Sequence, residues 1–236
     1  MPNNYFQFKE FRILQGKCAM KVTTEGCLFG AMIAPIKPGR FLDIGTGTGL
    51  LSLMLAQKSA GSVIDAVEID TLAAEQACTN FEASPWSERL RCLQTPIQHF
   101  LAPEKYDLIV SNPPFFKESL KGSSNPKNVA KHEQSLDQAD LIAGIDRLLA
   151  EEGRFWVLYP PLEAERFADL ARDLGYKKIT CIHVYDKPGS KMIRVVLQFT
   201  KESDGECNPQ DFYIKTDSEG YSMGFASLLA PYYLHL

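Results

Sequence analysis

Two short stretches of the chain combine residue types that could do chemistry. In residues 43–49 (DIGTGTG) an acid precedes three alternating glycines, and residues 112–115 (NPPF) join a side-chain amide, two prolines and an aromatic ring. Glycine lets the backbone turn sharply and approach a ligand without a clash at Cβ. The prolines fix the backbone dihedral φ and hold a rigid loop. The first stretch is therefore a candidate ligand cradle, and the second a candidate reaction pocket.

The spacing in the glycine loop argues against two common nucleotide sites. A dinucleotide fingerprint GxGxxG would need glycine or alanine where the chain has Leu50, and the phosphate loop GxxxxGK[ST] would need a lysine well before Lys58. Asp43 would repel a pyrophosphate, but it suits the cationic methionine end of S-adenosylmethionine. Glu68, at the end of the next predicted strand, could accept both ribose hydroxyls.

We therefore predict an S-adenosylmethionine site formed by Asp43, Gly45, Gly47, Gly49 and Glu68. A plain strand-to-helix turn followed by a surface glutamate is the alternative interpretation.

The residue types in the NPPF stretch suit the methylation of an exocyclic amino group. Such a nitrogen is conjugated with its ring and is a poor nucleophile. The side chain of Asn112 and the carbonyl of Pro113 could accept its two N–H groups and stabilise the positive charge that develops on it. Phe115 offers a flat face for stacking. The predicted catalytic residues are Asn112, Pro113, Pro114 and Phe115, and the alternative is an ordinary Asn-Pro turn.

Alternating strands and helices must position these two stretches. From residue 40 onward the pattern predicts strands at 40–44, 63–68, 90–93, 106–111, 154–159, 179–184 and 193–199. It predicts helices at 50–57, 71–83 (capped by Asp70), 97–101, 141–149 and 162–174, the last followed by Gly175. Such alternation predicts a mainly parallel sheet with helices on both faces. The last two strands are joined by a short turn and must be antiparallel.

The ends of the chain are predicted to extend one α/β domain. Residues 1–39 read as a β-rich extension with strands at 6–9 and 18–22 and a helix at 26–34. Residues 40–200 form the core, and residues 201–236 form a C-terminal extension. We predict a single domain over residues 1–236.

Charge and composition limit the classes of partner that the protein could bind. The net charge of −4 excludes a protein that coats nucleic acid through a uniformly basic surface. A local basic face is still possible, because residues 1–40 carry six lysines or arginines against two glutamates. The stretch after NPPF contributes the predicted RNA contacts Lys117, Lys121, Lys127 and Lys131, with a solvated lysine-rich loop as the alternative.

The six cysteines show no metal-ligand spacing, so we predict no metal. No apolar run could cross a bilayer and no signal peptide is evident, so we expect a cytoplasmic protein, and a monomer.

Several stretches resemble one enzyme family. The NPPF stretch is typical of amino-methyltransferases with an [NDS]PP[YF] motif. Residues 18–26 (CAMKVTTEG) resemble the amino-terminal signature of the bacterial tRNA1(Val) adenine-N6 methyltransferases. Residues 43–57, 64–68, 84–86, 107–116, 194–199 and 221–234 are similar to that family as well. The resemblance implies a Rossmann-like class I methyltransferase with a seven-stranded sheet and one antiparallel strand. It also implies N6-methylation, with S-adenosylmethionine, of the adenine 3′-adjacent to the anticodon of a valine tRNA.

One departure from the family leaves a question about the cofactor. The resemblance implies an acid after the third core strand for the amino group of the cofactor's adenine, but Pro96 stands there. Backbone carbonyls or Gln98 could replace it. His132 lies in a stretch similar to the family and is given no role.

Other functions stay open at this point. They are a guanine-N2 methyltransferase of ribosomal RNA, a glutamine-N5 methyltransferase of a protein, and a nucleotide-binding scaffold without activity.

Overall fold

The computed structural model describes residues 3–34, 37–114, 136–202, 207–218 and 220–236. Within them the strands are β1 (Tyr5–Gln7), β2 (Arg12–Leu14), β3 (Arg40–Ile44), β4 (Val63–Glu68), β5 (Leu90–Gln94), β6 (Tyr106–Ser111), β7 (Leu149–Tyr159), β8 (Lys177–Tyr185), β9 (Met192–Thr200) and β10 (Gln210–Tyr213). The helices are α1 (Thr24–Met32), α2 (Leu50–Lys58), α3 (Thr71–Glu82), α4 (Gln138–Leu148), α5 (Pro161–Asp173) and α6 (Met223–Leu229).

Eight of these strands form one sheet in the order β10-β8-β9-β7-β6-β3-β4-β5. Strand β9 is antiparallel to both of its neighbours, and the other pairs are parallel. The predicted, mainly parallel sheet with one antiparallel strand is confirmed. It has one strand more than expected, because β10 in the C-terminal extension pairs with β8.

The central strands are buried on both faces. Successive residues of β3 alternate between two apolar clusters: Phe41 belongs to the cluster that includes side chains of α1, α2 and α6, whereas Leu42 belongs to the cluster that includes side chains of α4 and α5. Side chains on a strand point alternately to opposite faces. A parallel strand covered on both faces is therefore mainly apolar, and in β3 the buried Asp43 is the exception.

Local backbone and side-chain geometry sets three helix boundaries, two of which, at Asp70 and Gly175, were predicted. The side chain of Thr23 caps α1 by accepting from the amide of Gly26 at 3.1 Å. Asp70 caps α3, as predicted, by accepting from the amide of Ala73 at 2.8 Å. Gly175 follows α5 with a φ of 82°, as predicted for a residue that ends a helix.

Residues 97–101 do not form the predicted helix. They form a turn in which the amide of Phe100 bonds to the carbonyl of Pro96 at 3.1 Å. The guanidinium of Arg147, from α4, donates to the carbonyls of Phe100 at 2.5 Å and Ile97 at 2.6 Å. These carbonyls are engaged by a distant side chain, so the turn does not continue as a helix.

The predicted strand at 18–22 is also wrong. The partner of β1 is β2, since the amide of Phe8 bonds to the carbonyl of Phe11 at 2.9 Å and closes a tight hairpin. The chain then runs irregularly from Gln15 to Thr23. In this position it lies against the site described below.

The N- and C-terminal segments pack against each other beside α2. The amide of Lys9 bonds to the carbonyl of Tyr232 at 2.8 Å, and the ring of Phe6 lies 5.7 Å from that of Tyr233. Among the described residues, no helix has the length and apolar character needed to cross a membrane.

Candidate active site

A cavity of about 650 Å³ opens where strands β3, β4, β5 and β6 end. Its size is that of a typical small-molecule site. It lies at the carboxyl ends of parallel strands, the edge where open α/β sheets place their ligands. The lining residues are Cys18, Ala19, Met20, Lys21, Val22, Thr23, Gly26, Ile44, Gly45, Thr46, Gly47, Thr48, Leu50, Leu51, Val67, Glu68, Ile69, Asp70, Thr71, Ala73, Thr95, Pro96, Ile97, Gln98, Asn112, Pro114 and Leu136.

The three glycines of the loop differ in what surrounds them. All have positive φ angles, of 71° at Gly45, 56° at Gly47 and 83° at Gly49. A Cβ added at Gly45 or Gly47 would meet no atom within 4 Å, whereas at Gly49 it would lie 2.5 Å from Cε1 of Phe81. Gly45 and Gly47 therefore leave open space at the cavity, and Gly49 allows close packing against α3.

Asp43 is fully buried beneath the glycine loop and is not part of the cavity lining. Its Oδ2 accepts hydrogen bonds from Oγ1 of Thr46 at 2.6 Å and from the Oγ and amide of Ser52 at 2.8 and 3.2 Å. Its Oδ1 has no hydrogen-bond partner among the described residues. Burial raises the pKa of Asp43 to about 6, although these hydrogen bonds oppose the shift. The carboxylate thus ties the loop to α2, and its predicted contact with a cofactor stays a prediction.

Glu68 lies in the cavity lining at the end of β4. Its Oε2 accepts from the amide of Gly47 at 2.9 Å, and its Oε1 accepts from the amide of Asp70 at 3.0 Å. Each carboxylate oxygen has a second lone pair, so both can still accept from hydroxyl groups. Glu68 therefore shapes the glycine loop and keeps the capacity to hold a ribose.

Asn112 presents an unsatisfied acceptor at the same cavity. Its Oδ1 is buried and has no hydrogen-bond partner within the described part of the chain. Buried polar atoms are usually paired, so an orphaned acceptor in a cavity points to a ligand that donates to it. Pro113 is buried and Pro114 is exposed at the lining. Phe115 lies outside the described residues, as do Lys117, Lys121, Lys127, Lys131 and His132.

Residues 18–23 form an amino-terminal wall of the cavity. The residue pattern did not predict them as part of the site. A Cβ added at Gly26, just beyond this wall, would lie 3.7 Å from Nδ2 of Asn112. The first turn of α1 is tied to the sheet, because Glu25 and Arg194 form an ion pair of 3.5 Å. The composition of this segment carries no chemical signal. Its likeness to a family signature was the available clue.

The segment after β5 lies in the cavity lining, as Thr95, Pro96, Ile97 and Gln98. The carbonyls of Pro96 and Ile97 already accept hydrogen bonds from the turn and from Arg147. The side-chain nitrogen of Gln98 donates to Oδ2 of Asp140 at 2.8 Å, which orients the Gln98 amide at the rim. The side chain of Gln98 therefore fits the place of the missing acid better than those backbone carbonyls do.

The charged groups that line the cavity fit a nucleoside with a positive charge better than they fit a polyphosphate. Glu68 and Asp70 bring carboxylates to the lining, against the single ammonium group of Lys21 within the described lining. The open space at Gly45 and Gly47 admits a ligand close to the backbone. In the described residues there is no group of three or more His, Cys, Asp or Glu side chains that could hold a metal ion.

Solved structures share this fold. One is a predicted O-methyltransferase from Agrobacterium tumefaciens, with a TM-score of 0.69 and 15% identity over 87% of this chain and 95% of that chain. Another, from Listeria monocytogenes, is proposed to be a class I S-adenosylmethionine-dependent methyltransferase. It has a TM-score of 0.58 and 17% identity over 92% of this chain and 71% of that chain. The fold is that of the Rossmann-like class I methyltransferases.

The family assignment comes from sequence relatives. Residues 26–167 match the family model of the methyltransferase small domain. Proteins named tRNA1(Val) (adenine(37)-N6)-methyltransferase are similar over their whole length: 40% identical in Dyadobacter fermentans, covering 99% of both chains, and 41% identical in Phocaeicola vulgatus, covering 100% of both. The cofactor of such an enzyme is S-adenosylmethionine. Because the likeness extends well beyond the catalytic domain to both ends of the chain, this protein belongs to the tRNA1(Val) (adenine(37)-N6)-methyltransferase family.

Proposed function

We propose that this protein transfers the methyl group of S-adenosylmethionine to N6 of adenine 37 in the anticodon loop of a valine tRNA. The observation that carries the proposal is the buried Oδ1 of Asn112, which has no hydrogen-bond partner among the described residues and lies at a cavity that also contains the glycine loop and Glu68. The names of the relatives support the choice of substrate.

The proposed reaction requires the protein to position the adenine amino group and to stabilise the charge that develops on it. The cofactor supplies a methyl group on a positively charged sulfur, which needs a neutral nitrogen as acceptor. In our proposal Asn112 Oδ1 accepts one N–H of the adenine amino group, and the carbonyl of Pro113 accepts the other. Fixed acceptors stabilise the positive charge that develops on the nitrogen, without reorganising during the reaction. The proton leaves after the nitrogen has become cationic, so a strong base is unnecessary.

Cys18 in the cavity wall is not suited to act as a competing nucleophile. Burial, with the nearby carboxylates of Glu68 and Asp70, raises the pKa of its thiol to about 11. The thiolate is the reactive form of cysteine, and at neutral pH this side chain is almost entirely protonated. A reaction that forms a covalent bond to the protein through Cys18 is therefore disfavoured.

The target base must leave its stack to reach Asn112. Unstacking is easiest in a single-stranded loop, which favours an anticodon loop over a duplex. The lysines at 117, 121, 127 and 131 are proposed to contact the RNA backbone, because an acidic protein must concentrate positive charge near a polyanionic substrate. A tRNA substrate also favours a cytoplasmic enzyme, and we expect it to act as a monomer.

Nucleoside analysis tests the proposed reaction. The protein is incubated with isotopically labelled S-adenosylmethionine and an unmodified transcript of valine tRNA, and the digested nucleosides are identified by mass. We expect labelled N6-methyladenosine, and none when position 37 is changed to guanine. Parallel reactions contain ribosomal RNA and a release factor. Labelled N2-methylguanosine or methylglutamine, with unlabelled tRNA, would contradict the proposal.

A further inference from the structure

One buried amide in α3 joins two parts of the active site. Asn80 is 1% exposed. Its Oδ1 accepts from the amide of Leu14 at 2.8 Å, and its Nδ2 donates to the carbonyl of Leu14 at 2.9 Å and to the carbonyl of Thr48 at 2.8 Å. A carboxamide can do this because it offers an acceptor and two N–H donors on one short side chain.

Both partners of Asn80 lead directly to the cavity. Leu14 is the last residue of β2, from which the chain continues into the amino-terminal wall, residues 18–23. Thr48 belongs to the glycine loop and is itself in the lining. The NH2 group of Asn80 therefore bonds both to the strand that leads into the wall and to the glycine loop.

Neighbouring residues of α3 strengthen both attachments. Gln76, one helical turn before Asn80, accepts from the amide of Lys17 at 3.3 Å, ahead of the wall. The ring of Phe81 packs against Gly49 of the loop so closely that an added Cβ would lie 2.5 Å away. Helix α3 thus contacts both the glycine loop and the segment that leads into the wall.

We propose that Asn80 is a positioning residue that couples the amino-terminal wall to the glycine loop, so that binding of the cofactor orders the wall. If either backbone moves, the shared NH2 group loses a partner in a buried place, and leaving a buried group unpaired is unfavourable. Ligand contacts that fix the loop then also fix the wall. The coupling concerns the cofactor and does not depend on which RNA is methylated.

Hydrogen exchange with S-adenosylhomocysteine as the probe tests this coupling. Exchange of the amides from residue 14 to 23 is followed by mass spectrometry with and without saturating probe, and affinity is measured by calorimetry. In the wild-type protein we expect the probe to slow exchange of this segment at least tenfold. Asn80→Ala should abolish that protection and bind the probe about tenfold more weakly, a typical coupling between sites.

Two further variants separate coupling from general stability. Gln57→Ala removes another long-range hydrogen bond from a side-chain amide to a backbone carbonyl, that of Pro231 at 2.9 Å. This exposed bond lies outside the cavity lining, so the variant should keep both protection and affinity. Gln76→Ala loosens the wall without touching the loop, and should lower protection more than affinity. Probe-induced protection that persists in Asn80→Ala, with affinity within twofold of wild type, would overturn the proposal. So would wild-type protein in which the probe does not protect the wall, whether or not the Asn80 variant folds.

Discussion

The carboxylate of Glu68 accepts a hydrogen bond from the backbone amide of Gly47, with 2.9 Å between Oε2 and the nitrogen. The residue proposed to hold the ribose thus also shapes the loop on which the cofactor rests. Glu68→Ala should weaken S-adenosylmethionine binding by about 1–3 kcal/mol, because it leaves the Gly47 amide without this acceptor and removes the proposed ribose contact.

Calorimetry checks this prediction. Glu68→Gln keeps a carbonyl that can accept from Gly47, so its affinity should fall between those of the wild type and the alanine variant. If Glu68→Ala bound the cofactor as tightly as wild type, Glu68 would not be part of the cofactor site.

Asn112 is expected to act on turnover more than on cofactor binding. Asn112→Ala should lower kcat by roughly 10²–10³-fold, the usual effect of losing one preorganised electrostatic contact, while cofactor affinity stays close to wild type. Gln57→Ala is the matched control and should leave kcat unchanged. Its Oε1 is also a buried acceptor with no partner among the described residues, but Gln57 lies outside the cavity lining. Near-normal turnover in Asn112→Ala would exclude the proposed role.

The buried carboxyl of Asp43 should make stability depend on pH. Burial raises its pKa from 3.8 to about 6, so the native protein takes up a proton at a higher pH than the unfolded chain. This group's contribution to stability is therefore greatest at low pH, decreases as the pH rises from about 4 to about 6, and is constant above that range. Since one pKa unit corresponds to about 1.4 kcal/mol, the change over this window should be on the order of 3 kcal/mol.

Chemical denaturation of wild type and Asp43→Asn at several pH values measures it. The free energy of unfolding of the wild type should fall, relative to that of the variant, across this window. Ser52→Ala removes a hydrogen bond that lowers the native pKa of Asp43, so it should extend the upper end of the window to higher pH. Parallel pH profiles for wild type and Asp43→Asn would show that Asp43 does not titrate there.

Two glycines of the same loop should respond differently to alanine. Both changes force a side chain into left-handed backbone, which costs about 1–2 kcal/mol. At Gly49 the new Cβ would also clash with Phe81, so Gly49→Ala should lower the melting temperature more. At Gly45 the Cβ enters open space at the cavity, so Gly45→Ala should mainly weaken cofactor affinity. Equal losses of stability and of affinity in the two variants would contradict this division.

The lysines after the NPPF stretch are proposed to contact RNA phosphates. Reversing the charge at Lys121 and Lys127 together should raise the KM for tRNA and flatten the salt dependence of binding by about one slope unit per lost phosphate contact. The KM for S-adenosylmethionine should stay the same. Binding measured across a salt series decides the matter, because an unchanged slope would mean that the RNA docks elsewhere.

The amino-acid sequence by itself determined the centre of the fold and the two chemical motifs. The predicted bounds of β3, β4 and β6 agree with the structure, because buried parallel strands are short, mainly apolar segments that end at or just before a glycine or polar residue. The positions of the glycine loop, Glu68 and Asn112 at one edge then follow from the alternation of strands and helices, since parallel strands end on the same side.

Only the tertiary structure decided which segments surround the site. Residues 18–23 form a wall because Asn80 and Gln76, far along the chain, hold the backbone that leads to it. Residues 97–101 form a turn because Arg147 takes two of their carbonyls. Asp43 lies beneath the loop instead of in the cavity lining, because Thr46 and Ser52 hold it there. Local patterns cannot predict such contacts, since each one depends on a side chain brought close by the packing of the whole fold.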